Sequence, residues 1–182
     1  AYVQAIADYG QAIALQPDQA RAYHYRGQAY AKLGQHAQAL DDYAVALTLN
    51  PSSAAVYVSQ GLAYAREQAY AKAVDSHERA IAIDPKHAPA RYNAACASAL
   101  LGDVERACGH LQKAIELRPG YRQMAAQDPD FAQISQSSEF QALLSTDRSA
   151  TRSSCAPNRR WRWWSVPYRP APSPPGRRIG GR

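Results

Sequence analysis

An all-α solenoid of stacked antiparallel helix pairs is the fold class this sequence predicts, and three observations predict it. Pro17, Pro51, Pro85 and Pro119 stand 34 residues apart. Each closes an Ala-rich apolar run, AIALQPD, ALTLNPS, AIAIDPK and AIELRPG. The residue before a proline is pushed out of the α region, so each run is a helix that ends there. Between the prolines the same residue types return at the same places. Tyr23, Gly27 and Tyr30 reappear as Tyr57, Gly61 and Tyr64, and Ala39, Tyr43 and Ala46 reappear as Ala73, His77 and Ala80. Spacings of three and four place each set on one stripe of a helix. One pair cannot bury its faces alone, and stacking pairs makes a continuous core.

The elements follow in order. Residues 1–19 form a half unit, with Ala5, Tyr9, Ala12 and Pro17 in second-helix slots, and a helix is expected over 2–15. Complete units at 20–53 and 54–87 predict helices over 20–33, 36–49, 54–67 and 70–83. The unit at 88–121, with helices over 88–101 and 104–117, has diverged: Ala95 replaces the glycine and Ser98 the tyrosine. Gly102, Ala107, Ala114 and Pro119 keep its register. Gly27, Gly61 and Ala95 are expected to face Ala39, Ala73 and Ala107, where small side chains let two helix axes approach. Residues 122–147 are expected to be capping helices. Asp128 and Pro129 are a helix-start pair, Phe131 and Ile134 share a face, and Ser137 can cap a last helix carrying Phe140, Leu143 and Leu144. Such an element covers the last apolar face of a solenoid.

This order of residues resembles the tetratricopeptide repeat, a helix–turn–helix unit of pattern W-x2-L-G-x2-Y…A-x3-F…P. The form DPDF…F-x-x-LL, after YNAACASALLGD, is similar to the C-terminal cap of many bacterial arrays. The resemblance implies a right-handed superhelix whose first helices line a concave groove for an extended peptide or a partner helix. Residues projected onto that groove are Arg21, His24, Gln28 and Lys32, then Val58, Leu62 and Arg66, then Tyr92, Cys96 and Leu100. The first group is cationic and polar and the others largely apolar, which suits a partner with an acidic or polar end and a hydrophobic continuation. Chaperone-binding members clamp a Glu-Glu-Val-Asp tail with Lys, Asn and Arg side chains. At the matching places this chain has His24, Gln28, Ser59, Pro89 and Asn93, so that clamp is not expected. The leading expectation is a non-catalytic protein–protein interaction scaffold. The alternative is a docking or regulatory domain of a longer enzyme, a kinase or glycosyltransferase, whose catalytic part precedes Ala1.

Composition narrows the chemistry. Residues 1–147 carry 15 acids against 12 Lys and Arg, whereas residues 148–182 carry nine Arg and no acid, so the net charge of +6 belongs to the tail. Cys96, Cys108 and Cys155 have no C-x-x-C spacing, and neither a disulfide framework nor a metal site is expected. The five His are dispersed, with no H-E-x-x-H, no paired carboxylates and no phosphate loop, so no catalytic, metal or cofactor site is expected. His77 takes the slot of Tyr43 and is expected to be a packed, hydrogen-bonded core histidine. Asp41, Asp42 and Glu78 are expected on a solvated face. The Arg-, Pro- and Trp-rich stretch 148–182 is expected to be disordered. Three readings of it stand open: a shifted reading frame in GC-rich DNA, an unselected linker, and a segment binding anionic membrane or single-stranded nucleic acid through Arg159 to Trp164. Nucleic-acid binding is disfavoured. No apolar run reaches the roughly 18–20 residues that span a bilayer. The chain opens inside a repeat, so any preceding targeting signal is expected to be missing, and a cytoplasmic location is favoured. Self-association through the half repeat is a further expectation.

Overall fold

Helix ends fall where backbone chemistry puts them. The computed structural model describes residues 1–145, and among these every regular element is helical. Seven helices make the repeat body: α1 (Tyr2–Leu15), α2 (Ala20–Lys32), α3 (His36–Leu49), α4 (Ala54–Arg66), α5 (Tyr70–Ile83), α6 (Ala88–Leu100) and α7 (Val104–Leu117). Each second helix stops on an extended residue before its proline, at Gln16, Asn50, Asp84 and Arg118, with φ between −126° and −146°. Asn50 and Asp84 then accept from the amides of Ser52 and Lys86, which tightens the turn.

Within each pair the turn uses a left-handed residue. Gly34 (φ 78°), Gln68 (φ 57°) and Gly102 (φ 75°) hold equivalent positions. Amides of Gln35, Ala69 and Asp103 reach back to the carbonyls of Tyr30, Tyr64 and Ser98 at 2.9–3.0 Å, the Schellman arrangement. Gln68 adopts, with a side chain, a conformation that glycine takes without penalty.

The pairs α2–α3, α4–α5 and α6–α7 stack through α1–α2, α3–α4 and α5–α6 contacts. First helices also touch one another, α2 with α4 and α4 with α6, whereas second helices meet less, so the first helices line the inside of the curve. The close crossing differs from the expected meeting of small side chains. Ala39, Ala73 and Ala107 are fully buried, but the glycine gaps are filled by rings. A Cβ on Gly27 would lie 2.6 Å from the Tyr43 ring and 3.1 Å from the Ala39 carbonyl, and one on Gly61 would lie 2.6–2.8 Å from the His77 ring. In the third pair Ala95 holds the glycine place and Leu111 the ring place, both buried.

Polar slots vary in the same paired way. Asp42, expected to be solvated, is 5% exposed. It accepts two bonds from the Arg26 guanidinium at 2.6 and 2.8 Å. In the next pair Gln60 and Ser76 hold these two places and bond each other at 3.1 Å. Glu78 also lies in a network, accepting from Arg106 at 2.7 and 3.0 Å and pairing with His110 at 3.0 Å. His77 is fully buried, but neither ring nitrogen has a hydrogen-bond partner. The hydrogen bond expected for it is therefore absent, because the ring edge is turned into the Gly61 gap.

After Pro119 come α8 (Gly120–Ala125), which the sequence did not announce, a 3-10 segment (Pro129–Ile134) and α9 (Ser138–Ser145). Asp128 caps the 3-10 segment through the amide of Asp130, and Ser137 accepts from the amide of Phe140. Phe131 stacks on Phe140 at 5.2 Å, and both are buried with Ile134. The opposite end is less covered: α1 contains no buried residue, and Val3 and Leu15 are 70% and 84% exposed. No described helix is long and apolar enough to cross a membrane. The tail expected to be disordered at 148–182 lies outside the described residues.

Two outcomes follow for stability. Gly61→Ala should cost about 1–3 kcal/mol, since the ring it meets cannot move without overpacking the core. Gly109→Ala, with open space around its Cβ, should gain about 0.5–1 kcal/mol from helix propensity. Urea denaturation of both variants measures this, and equal effects would mean the glycine gap is slack.

Burial, with His110 and His87 adding to it, pushes the His77 pKa from 6.5 down to about 3. The unfolded chain takes up a proton near pH 6.5 that the native core refuses until about pH 3. Stability therefore falls as pH drops through that window and levels off below it. At 1.36 kcal/mol per unit, going from pH 7 to 4.5 should remove about 2–3 kcal/mol through this residue. His77→Tyr, which copies Tyr43, should abolish that part of the drop. An unchanged drop in urea titrations at the two pH values would show that the ring takes up its proton in the native state.

Candidate functional site

The inner face is built by α2, α4 and α6, whose outward positions recur every 34 residues and so form rows across the stack. His24, Val58 and Tyr92 make one row, Gln28, Leu62 and Cys96 the next, and Lys32, Arg66 and Leu100 the third. Arg21, Lys32 and Arg66 are exposed, while His24, Gln28, Val58, Leu62 and Leu100 are half-buried. These eight projected residues reach the surface.

Between α2 and α4 lies a polar bridge. His24 Nε2 and Ser59 Oγ are 3.0 Å apart, and the Gln28 amide nitrogen lies 3.2 Å from His24 Nε2 and 3.4 Å from Ser59 Oγ. Burial lowers the His24 pKa from 6.5 to about 4, so the ring is neutral at pH 7. It is held flat against Tyr25 at 5.6 Å and edge-on to Tyr43 at 5.8 Å. From the sequence alone Ser59 stands out only as a departure from the clamp pattern. Its part in joining two repeats depends on side chains 35 and 31 positions apart.

At the third repeat the inner face is closed. Tyr92 is 1% exposed and Cys96 fully buried, so neither is the open groove residue expected. The chain's own 3-10 segment covers them. The Tyr92 hydroxyl donates to Asp128 Oδ2 at 2.8 Å, and Cys96 Sγ lies 3.9 Å from the same oxygen. Phe131 meets the Tyr92 ring edge-on at 5.9 Å, and Tyr121 stacks on it at 4.6 Å. Cys96, Asp128 and Asp130 bring three potential ligand atoms within 4.8 Å of one another. Burial, then the charges of Asp128 and Asp130, push the Cys96 thiol well up. A thiolate is the metal-binding and nucleophilic form, and this environment disfavours it. Cys108 is buried too, and its thiol is likewise raised by burial.

Comparison with known proteins agrees with the repeat fold. Residues 20–53, 54–87 and 88–121 each match the tetratricopeptide repeat, and residues 1–34 match a TPR repeat. No curated protein matches the sequence. Among solved structures, a crystal structure of MamA superposes with a TM-score of 0.65 at 21% identity, over 79% of this chain and 86% of that one. YrrB, described as a TPR protein with an unusual peptide-binding site, superposes with a TM-score of 0.66 at 19% identity, over 78% of this chain and 74% of its own. The first TPR of Spaghetti (RPAP3), solved with the HSP90 peptide SRMEEVD, gives 0.56 at 20% identity, over 69% and 90%. At these identities the likeness concerns the fold.

The closed end of the face can be tested directly. Tyr92→Phe removes the hydroxyl donor to Asp128 Oδ2 and should destabilise the 3-10 segment by about 1–3 kcal/mol, because a half-buried carboxylate loses one of its donors. Hydrogen exchange should quicken across 120–145 while α2–α5 keep their protection. Unchanged exchange there would show that this hydrogen bond does not hold the cap.

Proposed function

The chain belongs to the tetratricopeptide repeat family, and from that premise we propose that it is a non-catalytic interaction scaffold whose open inner face on α2 and α4 holds a peptide or partner helix. One observation carries the proposal. Tyr92 and Cys96 are covered by a segment of the chain itself, while Val58 and Leu62, their equivalents one repeat earlier, are half-buried with no comparable segment over them among the described residues. A row of apolar slots that is closed at one repeat and open at the next is a surface built to be covered.

The contacts assigned to the partner are Arg21, His24, Gln28, Lys32, Val58, Leu62, Arg66 and Leu100, with Tyr92 and Cys96 as the wall beneath the cap. Relatives by fold give the reading its precedent, since the RPAP3 domain was solved with a peptide and YrrB is described by a peptide-binding site. The route differs from the Glu-Glu-Val-Asp clamp, because His24, Gln28 and Ser59 bond one another and Asn93 is buried.

Affinity in such a groove comes mainly from desolvated anchors, and rim charges chiefly set on-rate and salt dependence. In capture experiments with the immobilised full chain, Leu62→Asp should reduce partner retention at least about ten-fold, a loss of roughly 1.4 kcal/mol or more. Arg21→Glu should make retention less sensitive to salt. Val45→Glu, on the exposed side of α3, should change neither. Loss of binding from Val45→Glu alone, with Leu62→Asp silent, would place the interaction on the outer face instead.

A further inference from the structure

Three histidines at and beside the second complete unit, residues 54–87, serve the structure in the neutral form. His77 lies at the α4–α5 crossing, fully buried, with neither ring nitrogen bonded. Of the side chains that fill the three crossings, Tyr43, His77 and Leu111, only the imidazole can take up a proton between pH 8 and 5. His24 joins this unit to the one before it. The Gln28 amide nitrogen, which only donates, lies 3.2 Å from His24 Nε2, so that nitrogen presents a lone pair. Ser59 of α4 lies 3.0 Å from the same nitrogen. His87 joins the unit to the one after it, because its Nδ1 accepts from the Ala90 amide at 3.0 Å and caps α6. A proton on Nδ1 would remove that acceptor and set a positive charge at a helix N-terminus.

On His77 the groups acting from other elements are His110 of α7 and His87 ahead of α6, both of which add positive charge as they are protonated. On α4, Tyr57 and Tyr64 lie under the cations Arg79 and Lys72, and on α6 Arg91 donates to the Pro85 carbonyl. Around His24 stand Tyr25 on α2, with Tyr9 of α1 against it, and Tyr43 of α3. Asp42, next to Tyr43 in the chain, is held by two bonds from Arg26. The third unit is arranged otherwise. His110 pairs with Glu78 Oε1 at 3.0 Å, a contact that a proton on the ring strengthens. Acid therefore bears on unit 54–87 and its two joints rather than on α7.

We propose that the second complete unit is an acid-sensitive joint, which opens in mild acid and uncouples residues 20–53 from 88–121 while α7 and the segments packed on it stay closed. Burial keeps the folded His24 and His77 unprotonated down to about pH 4 and about pH 3, against 6.5 for an exposed ring. The opened unit binds protons that the closed one refuses, so opening becomes easier as pH falls below 6.5. At pH 5 each ring multiplies the opening equilibrium about thirty-fold, and the two together about a thousand-fold. Opening of one unit is available to a solenoid because each repeat contacts only its neighbours.

Hydrogen exchange of the full chain, read residue by residue between pH 8 and 5 and corrected for the intrinsic rate, tests the joint. Protection of amides in α4 and α5 should fall at least about a hundred-fold, and that in α7 less than about ten-fold. His77→Tyr, which keeps a ring in the Gly61 gap, and His24→Val, which copies Val58, should each reduce the fall in α4 and α5 by about thirty-fold. Circular dichroism at pH 8 checks that each variant is folded, and His24→Val decides the matter if the larger ring does not fit. Equal loss of protection in α4, α5 and α7 would show that the chain opens as a single unit and would refute the joint. A fall that the folded variants leave unchanged would refute the histidines as its cause.

Discussion

The structure depends on one close approach, repeated: a ring from a second helix lying in the gap that a glycine leaves on the first. With Tyr43 against Gly27 and His77 against Gly61 at 2.6 Å from an added Cβ, neither helix can rotate or slide without a clash. That fixes which side of α2 and α4 turns inward, and so fixes the rows that make the candidate face. The third pair reaches the same end by a different exchange, Ala95 for glycine and Leu111 for the ring. Gap and filler change together, as close packing demands, since a core tolerates volume-conserving swaps better than a change in one partner.

The first and last described helices are held to the stack differently. At the C-terminal end Phe131, Ile134 and Phe140 are buried and Tyr92 is tied to Asp128. The cap is thus joined to the repeats by both apolar area and a charge-assisted hydrogen bond. Helix α1 has no buried residue, so it is held to α2 by half-covered side chains such as Tyr9, which stacks on Tyr25 at 5.7 Å. In a quasi-one-dimensional fold each unit draws its stability from its neighbours.

Much of the fold was legible because its signals are local and repeat. Proline spacing, the Ala-rich runs and the turn glycines act within a few residues, and they place the helix ends where the structure has them. Gln68 in a glycine slot shows that even an exception keeps the backbone turn. The site was legible only in part. The row positions follow from helical periodicity, but whether a row is open depends on what lies over it. Tyr92 and Cys96 looked like groove residues because nothing within their repeat distinguishes them from Val58 and Leu62. Their cover comes from Asp128 and Phe131, a full repeat later in the chain. His77 is the packed core histidine expected, but its expected hydrogen bond and the expected solvation of Asp42 fail for a related reason. Burial of a polar group is decided by its partner across the pair, and Arg26 supplies one to Asp42 while the Gly61 gap supplies none to His77.

The distribution of charge ties the packing to the candidate function. Two acids on the second helices are engaged by Arg side chains, Asp42 by Arg26 within a pair and Glu78 by Arg106 between repeats. Those ion pairs use charge to lock one helix to another. On α2 and α4 the polar contact between repeats is instead neutral, because burial keeps His24 uncharged and it meets Gln28 and Ser59 as a dipole. A neutral bridge thus joins the two repeats on the side where Arg21, Lys32 and Arg66 are exposed. In the proposed binding face, rim charges would steer a partner and apolar side chains would hold it, a division of roles that leaves the glycine–ring crossings beneath undisturbed.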